Sequence, residues 1–275
     1  MSTLSCERLL LQSAVAVVSA FGLGAGGLLV GFVLTILAGG LVVITTGSQL
    51  PGVVAIVLSL IFVQGIGCAG VALSYYKLRP AIAPRIRSVL NISGDKPAFA
   101  IPASVPDLRD SGIVAVGYVT ALSGAILGSI LITAVQQFTG TEIDTGTNSA
   151  AELGMQNPEV LLLLIPASIL LIGPGEELLF RGVVQGRIRE MFSPVPGIVI
   201  PSVIFAGLHW FALSGGSPQG NIVALGILIV PSLVFGAAYE YTDNIVVPSL
   251  IHGLYNATLF SLLYVVIAFG DQLPQ

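Results

Sequence analysis

Glu176 and Glu177 stand side by side within one apolar stretch of the chain, and Arg181 follows four residues later. The sequence contains two histidines, His209 and His252, each in a later apolar stretch, with Asn256 one helical turn beyond His252. An ionisable side chain at the centre of a membrane helix costs about 2.5–3.5 kcal/mol. Turned towards lipid, these three charges would together cost on the order of 7–10 kcal/mol, so they face a protein interior or a wet cavity. Glu177 and Arg181 are spaced i, i+4 in the favourable order for an ion pair on one helix face. Glu176 lies about 100° round the helix and needs another partner. An imidazole serves: a carboxylate beside a histidine in a low-dielectric bundle can hold a water and take its proton. His252 and Asn256, sharing a face, can then donate hydrogen bonds to an oxyanion.

The elements that must position these residues are membrane helices. Of 275 residues, 55% are hydrophobic and 9% charged, with mean hydropathy +0.97. A soluble domain needs roughly 25% charged residues to solvate its surface. The net charge of −4 and the lack of a Lys/Arg-rich run exclude nucleic acid as a partner. Cys6 and Cys68 form neither a CxxC pair nor a disulfide framework. A span takes about 20 apolar residues. The stretches Leu9–Thr46, Val53–Tyr76, Gly112–Val135, Pro158–Phe192, Gly197–Leu213, Asn221–Tyr239 and Ile245–Phe269 predict an all-α, polytopic membrane bundle of about seven helices, six to eight in all. The first is long enough to span once with tilt or to cross twice, bending at Gly22, Gly24, Gly26 and Gly27; the fourth is interrupted by Pro166 and Pro174.

Lys77, Arg79, Arg85, Arg87, Lys96 and Arg109 fall in one connection and Arg187 and Arg189 in another, while Gln136–Asn157 has acidic residues but no Lys or Arg. Seven spans place Arg8 and both basic connections on the cytoplasmic side, giving a cytoplasmic N-terminus and an extracytoplasmic C-terminus. The expected organisation is an N-terminal transmembrane hairpin over 1–78, an irregular Pro-rich cytoplasmic loop over 79–110, and a bundle over 111–275 that carries the chemistry. Within that bundle, Ser193-Pro194-Val195-Pro196 makes the corner of a helical hairpin. Glu176 is 18 residues before Pro194 and His209 is 15 after it. Their levels then differ by about 4–5 Å, and the two side chains meet across the corner.

Glu176-Glu177-x-x-x-Arg181, Phe205-x-x-x-His209 and His252-x-x-x-Asn256 resemble, in order, the three motifs of the CAAX protease and bacteriocin-processing (CPBP, or Abi) family of intramembrane proteases, which includes the type II CAAX prenyl endopeptidases. The resemblance extends over roughly Gly112 to Phe269. It implies Glu176 as general base, His209 as its partner on the water, and His252 and Asn256 as stabilisers of the tetrahedral intermediate. Glu177 and Arg181 would hold the helix in place, and Phe205 would pack beside the site. The family has been described both as metalloproteases and as glutamate proteases. Glu176, His209 and His252 offer a zinc set with water as fourth ligand, but there is no HExxH helix. The reading preferred here requires no cofactor, with one Zn2+ as the alternative. The expected partners are a membrane-embedded or lipidated peptide and membrane lipids; oligomeric state is not legible. A non-catalytic binding module of the same fold and an ion- or proton-coupled transporter are the competing functions; clustered polar residues and the absence of a repeat argue against the transporter.

Overall fold

The computed structural model describes residues 3–89 and 99–270; Lys96 of the basic connection lies outside the described residues. Among these, seven helices are long and apolar enough to cross a membrane. They are α1 (Leu9–Thr46), α2 (Gly52–Arg85), α3 (Leu108–Thr139), α5 (Pro158–Arg189), α6 (Pro194–Ala212), α7 (Pro218–Thr242) and α8 (Val246–Phe269). A short helix, α4 (Ser149–Gln156), precedes α5, and two residue pairs, β1 (Thr147–Asn148) and β2 (Leu213–Ser214), form a small antiparallel ladder. The chain is a multi-pass membrane protein.

The sequence expectations for the proline- and glycine-rich segments need correction. The first stretch is one unbroken helix, so it crosses once, and its glycines serve contact rather than bending. A Cβ on Gly27 would lie 2.6 Å from the Gly67 carbonyl oxygen, and one on Gly31 would lie 2.6 Å from the Val63 Cα. This Gly-x-x-x-Gly face lets α1 and α2 approach backbone to backbone, which is how helices attract one another in lipid. Likewise the helix of α2 runs on through Pro80 and Pro84, past the apolar span, to Val89, so residues 79–89 are helical and not irregular. The two prolines share one exposed face, where the carbonyls they release can be hydrated. Pro166 and Pro174 do not break α5 either. Its hydrogen bonding widens to π turns at Ser168–Ile172, just ahead of Pro174, and again at Leu178–Gln185. A wide turn relieves the clash between a proline ring and the carbonyl four residues back, and such turns recur at functional sites.

Helix α5 is the hub, packing on α1, α2, α6, α7 and α8. One apolar cluster, built on Leu179, Phe180, Val183 and Phe205, joins it to α1, α2 and α6, and a second, built on Leu161 and Leu164, joins it to α2 and α8. A third lies between α3, α7 and α8. There Gly117, Gly124 and Gly128 of α3 receive Ile251, Val230 and Ile227. Between α5 and α7 runs a polar ladder: Arg181 donates to Ser232 Oγ, Gln185 to the Gly236 carbonyl and Arg189 to Glu240. Every rung joins residues 51 apart, so α5 and α7 are parallel.

Candidate active site

Two helices bring the histidines to Glu176. Gly173 meets α8 with no room for a side chain, since a Cβ there would stand 2.6 Å from the Ser249 carbonyl oxygen and 2.9 Å from the Gly253 nitrogen. Gly253 in turn faces the Ile169 Cα at 2.8 Å by the same measure. These glycines bring His252 to the level of Glu176. The α5–α6 hairpin brings His209, and the outcome is the one its corner predicts: His209 Nε2 lies 3.8 Å from Glu176 Oε2, and His252 Nε2 lies 3.9 Å from the same oxygen.

Both rings have their other nitrogen committed. His209 Nδ1 is 2.8 Å from the Phe205 carbonyl, and His252 Nδ1 is 2.9 Å from Glu177 Oε1. A carbonyl and a carboxylate can only accept, so each Nδ1 carries a proton and each ring turns its Nε2 towards Glu176. At 3.8 and 3.9 Å neither Nε2 is hydrogen-bonded to the carboxylate. Glu176 Oε2 is a buried atom without a hydrogen-bond partner. One carboxylate oxygen and two imidazole nitrogens therefore converge on one point. A water set about 2.8 Å from two of them fits that spacing.

The surroundings are dry. The side chains of Glu176, His209 and His252 are 10%, 22% and 4% exposed, so His209 is the wettest edge. Glu177 is fully buried against Arg181 at 2.9 Å, as its spacing predicts. Its second oxygen holds His252, a link the sequence reading did not include. Arg181 is anchored on Ser232 and lies 5.3 Å over the Phe205 ring. Phe205 packs beside both imidazoles, at 4.3 Å from His209 and 5.9 Å from His252. Asn256, one turn beyond His252 on α8, is half-buried, and no described residue hydrogen-bonds its side chain.

Two neighbours were missed. Phe235 of α7 stacks on His252 with ring centres 4.7 Å apart; an aromatic in an apolar helix carries no signal of such a role. Gln64 of α2 donates to Glu176 Oε1 at 2.8 Å. Here a signal existed, because Gln64 is the sole amide side chain between Val53 and Tyr76, and an amide in a membrane span seeks a partner.

The three donors are of the types that bind catalytic zinc, but their spacing does not close round an ion. Tetrahedral zinc holds its N and O ligands about 3.3–3.4 Å from one another. The observed separations are wider by about half an ångström, and among the described residues no three His, Cys, Asp or Glu side chains gather at ligand spacing.

Residues 158–258 match the family described as Rce1-like, type II CAAX prenyl endopeptidase. The match runs from the start of α5 into α8 and contains every residue from Glu176 to Asn256 described above. An uncharacterised protein of Bacillus subtilis, YpbD, is 30% identical over 153 residues, covering 55% of this chain and 69% of that protein. No solved structure matches the chain. With the three motifs converging on one buried carboxylate, the chain belongs to the Rce1-like family of type II CAAX prenyl endopeptidases, which are membrane-embedded peptide hydrolases.

Proposed function

We propose that this protein is an intramembrane endopeptidase that hydrolyses a peptide bond of a membrane-embedded or lipidated substrate, CAAX-type processing included, by water activated on Glu176 and without an obligatory metal. The observation that supports this reading is the unpartnered Glu176 Oε2 faced by two Nε2 atoms at 3.8 and 3.9 Å.

The reaction assigns each group one task. A water in the gap gives a hydrogen bond to Glu176 Oε2 and is steered by His209 Nε2. As the water oxygen attacks the carbonyl carbon, its proton passes to Glu176. The developing oxyanion is met by the Asn256 amide and by His252, which enters the cycle as the imidazolium and keeps its Nε2 proton throughout, giving a hydrogen bond and not a proton. Glu177 then faces an imidazolium across its hydrogen bond to Nδ1, a favourable contact. When the C–N bond breaks, Glu176 returns its proton to the leaving nitrogen. Burial excludes other water and strengthens each of these contacts.

The distribution of basic residues supports a cytoplasmic N-terminus and an extracytoplasmic C-terminus. At the end of the bundle that carries these basic residues, Arg79 of α2 and Arg187 of α5 both pair with Glu190, and Arg189 of α5 pairs with Glu240 of α7.

The test is cleavage of a fluorogenic farnesylated peptide ending in Cys-a-a-X by purified protein in lipid nanodiscs. Wild type should release the C-terminal tripeptide. Glu176→Gln, which keeps shape and loses the base, should be inactive at normal abundance. Full activity in Glu176→Gln would overturn the assignment.

A further inference from the structure

The family match begins at Pro158, yet the carboxylate at its centre is held from outside it. Gln64 lies on α2, 112 residues before Glu176, and its Nε2 donates to Glu176 Oε1 at 2.8 Å. Among the described residues no other side chain hydrogen-bonds Glu176. The two oxygens of Glu176 are thereby made unequal. Oε1 is taken by an amide, and Oε2 is left facing the two imidazoles.

Gln64 is itself firmly placed. It sits in a π-helical stretch of α2, Leu60–Gly70, whose Gly67 touches Gly27 of α1. On the other side Gly175 abuts the Gln64 main chain, since a Cβ there would lie 2.8 Å from the Gln64 carbonyl oxygen. Two glycine contacts, one on α1 and one beside Glu176, thus set the depth of the amide.

We propose that Gln64 is a positioning residue for the reaction assigned above: it locks the carboxylate rotation of Glu176, so that Oε2 alone meets the water. This assignment rests on Glu176 acting as the base. It makes the α1–α2 hairpin part of the working site. A carboxylate free to rotate about its last bond offers either oxygen and loses the alignment that proton transfer needs. Removing the partner that orients a reacting group typically costs 10- to 100-fold in activity, roughly the range expected here.

The probe is Gln64→Met, which keeps the length of the side chain and lacks a donor. It removes an amide from a membrane helix, a change the bilayer favours. Two readouts are taken from the same nanodisc sample. In infrared spectra of protein carrying 13C-glutamate, the Glu176 carboxylate band, identified by its loss in Glu176→Gln, should shift in Gln64→Met. With the farnesylated peptide, kcat should fall roughly 10- to 100-fold while KM changes little. Gln64→His retains an N–H donor and should recover part of both. An unmoved Glu176 band in folded Gln64→Met overturns the proposal, even if activity falls. If Gln64→Met does not accumulate, Gln64→Asn decides, its amide being one methylene short of Glu176 Oε1: a shifted Glu176 band supports the lock, and a band at the wild-type position overturns it. A shifted band in Gln64→Met, with wild type inert on the peptide, removes the reaction proposed above and leaves the positioning of Glu176 standing.

Discussion

At the scale of single residues, the two adjacent glutamates differ because their neighbours differ. Glu177 is locked between Arg181 and His252, whereas Glu176 keeps one oxygen free. Arg181→Ala leaves Glu177 buried without its cation, a change that typically costs about 3–5 kcal/mol. Its melting temperature in detergent should fall well below wild type, while Glu176→Gln should melt as wild type does. Equal melting of the two variants would show that the roles are not divided this way. The metal question belongs to the same residues. Elemental analysis of active protein should find no stoichiometric zinc, and a strong chelator should leave cleavage intact. Stoichiometric zinc that disappears in His209→Ala would replace glutamate chemistry with metal chemistry and keep the protease.

At the scale of elements, glycines decide which helices can come close. Gly27 and Gly26 are adjacent on α1 but differ in surroundings: a Cβ on Gly26 meets nothing within 4 Å, whereas one on Gly27 strikes the Gly67 carbonyl. Gly27→Val should therefore destabilise by about 1–3 kcal/mol through overpacking and lower the activity, because it pushes α2 and Gln64 away from Glu176. Gly26→Val should do neither. Thermal shift and peptide cleavage on the two variants check this directly. The same logic explains why α5 stays one helix through two prolines: π turns take up what the missing donors and crowded rings would otherwise break.

At the scale of the whole molecule, the parallel ladder between α5 and α7 requires an even number of crossings between their starts, which α5 itself and α6 supply in the seven-span arrangement. A membrane-impermeant thiol reagent on intact cells should label Thr141→Cys and spare Val105→Cys in a protein freed of Cys6 and Cys68. Labelling of Val105→Cys alone would reverse the orientation, and labelling of both would overturn the seven-span topology. Both positions are exposed, so accessibility from either side, not burial, decides the result.

The sequence by itself determined the solvent and the span count, and it pointed to the charged residues that had to be buried. Each follows from a cost that is local to the chain: too little charge for water, runs of about 20 apolar residues for lipid, and buried charges that must find partners wherever the helices put them. The Glu177–Arg181 pair was legible because i, i+4 neighbours meet in any helix. The Glu176–His209 approach was legible because a short corner fixes the levels on both arms of a hairpin. Only the tertiary structure decided the rest. That His252 shares Glu177 with Arg181, that Phe235 stacks on its ring, and that Gln64 reaches Glu176 across 112 residues all depend on how non-neighbouring helices cross. Those crossings are set by backbone contact at glycines such as Gly27, Gly173 and Gly253, and hydropathy does not register them, since a glycine facing a helix and a glycine facing lipid are the same letter.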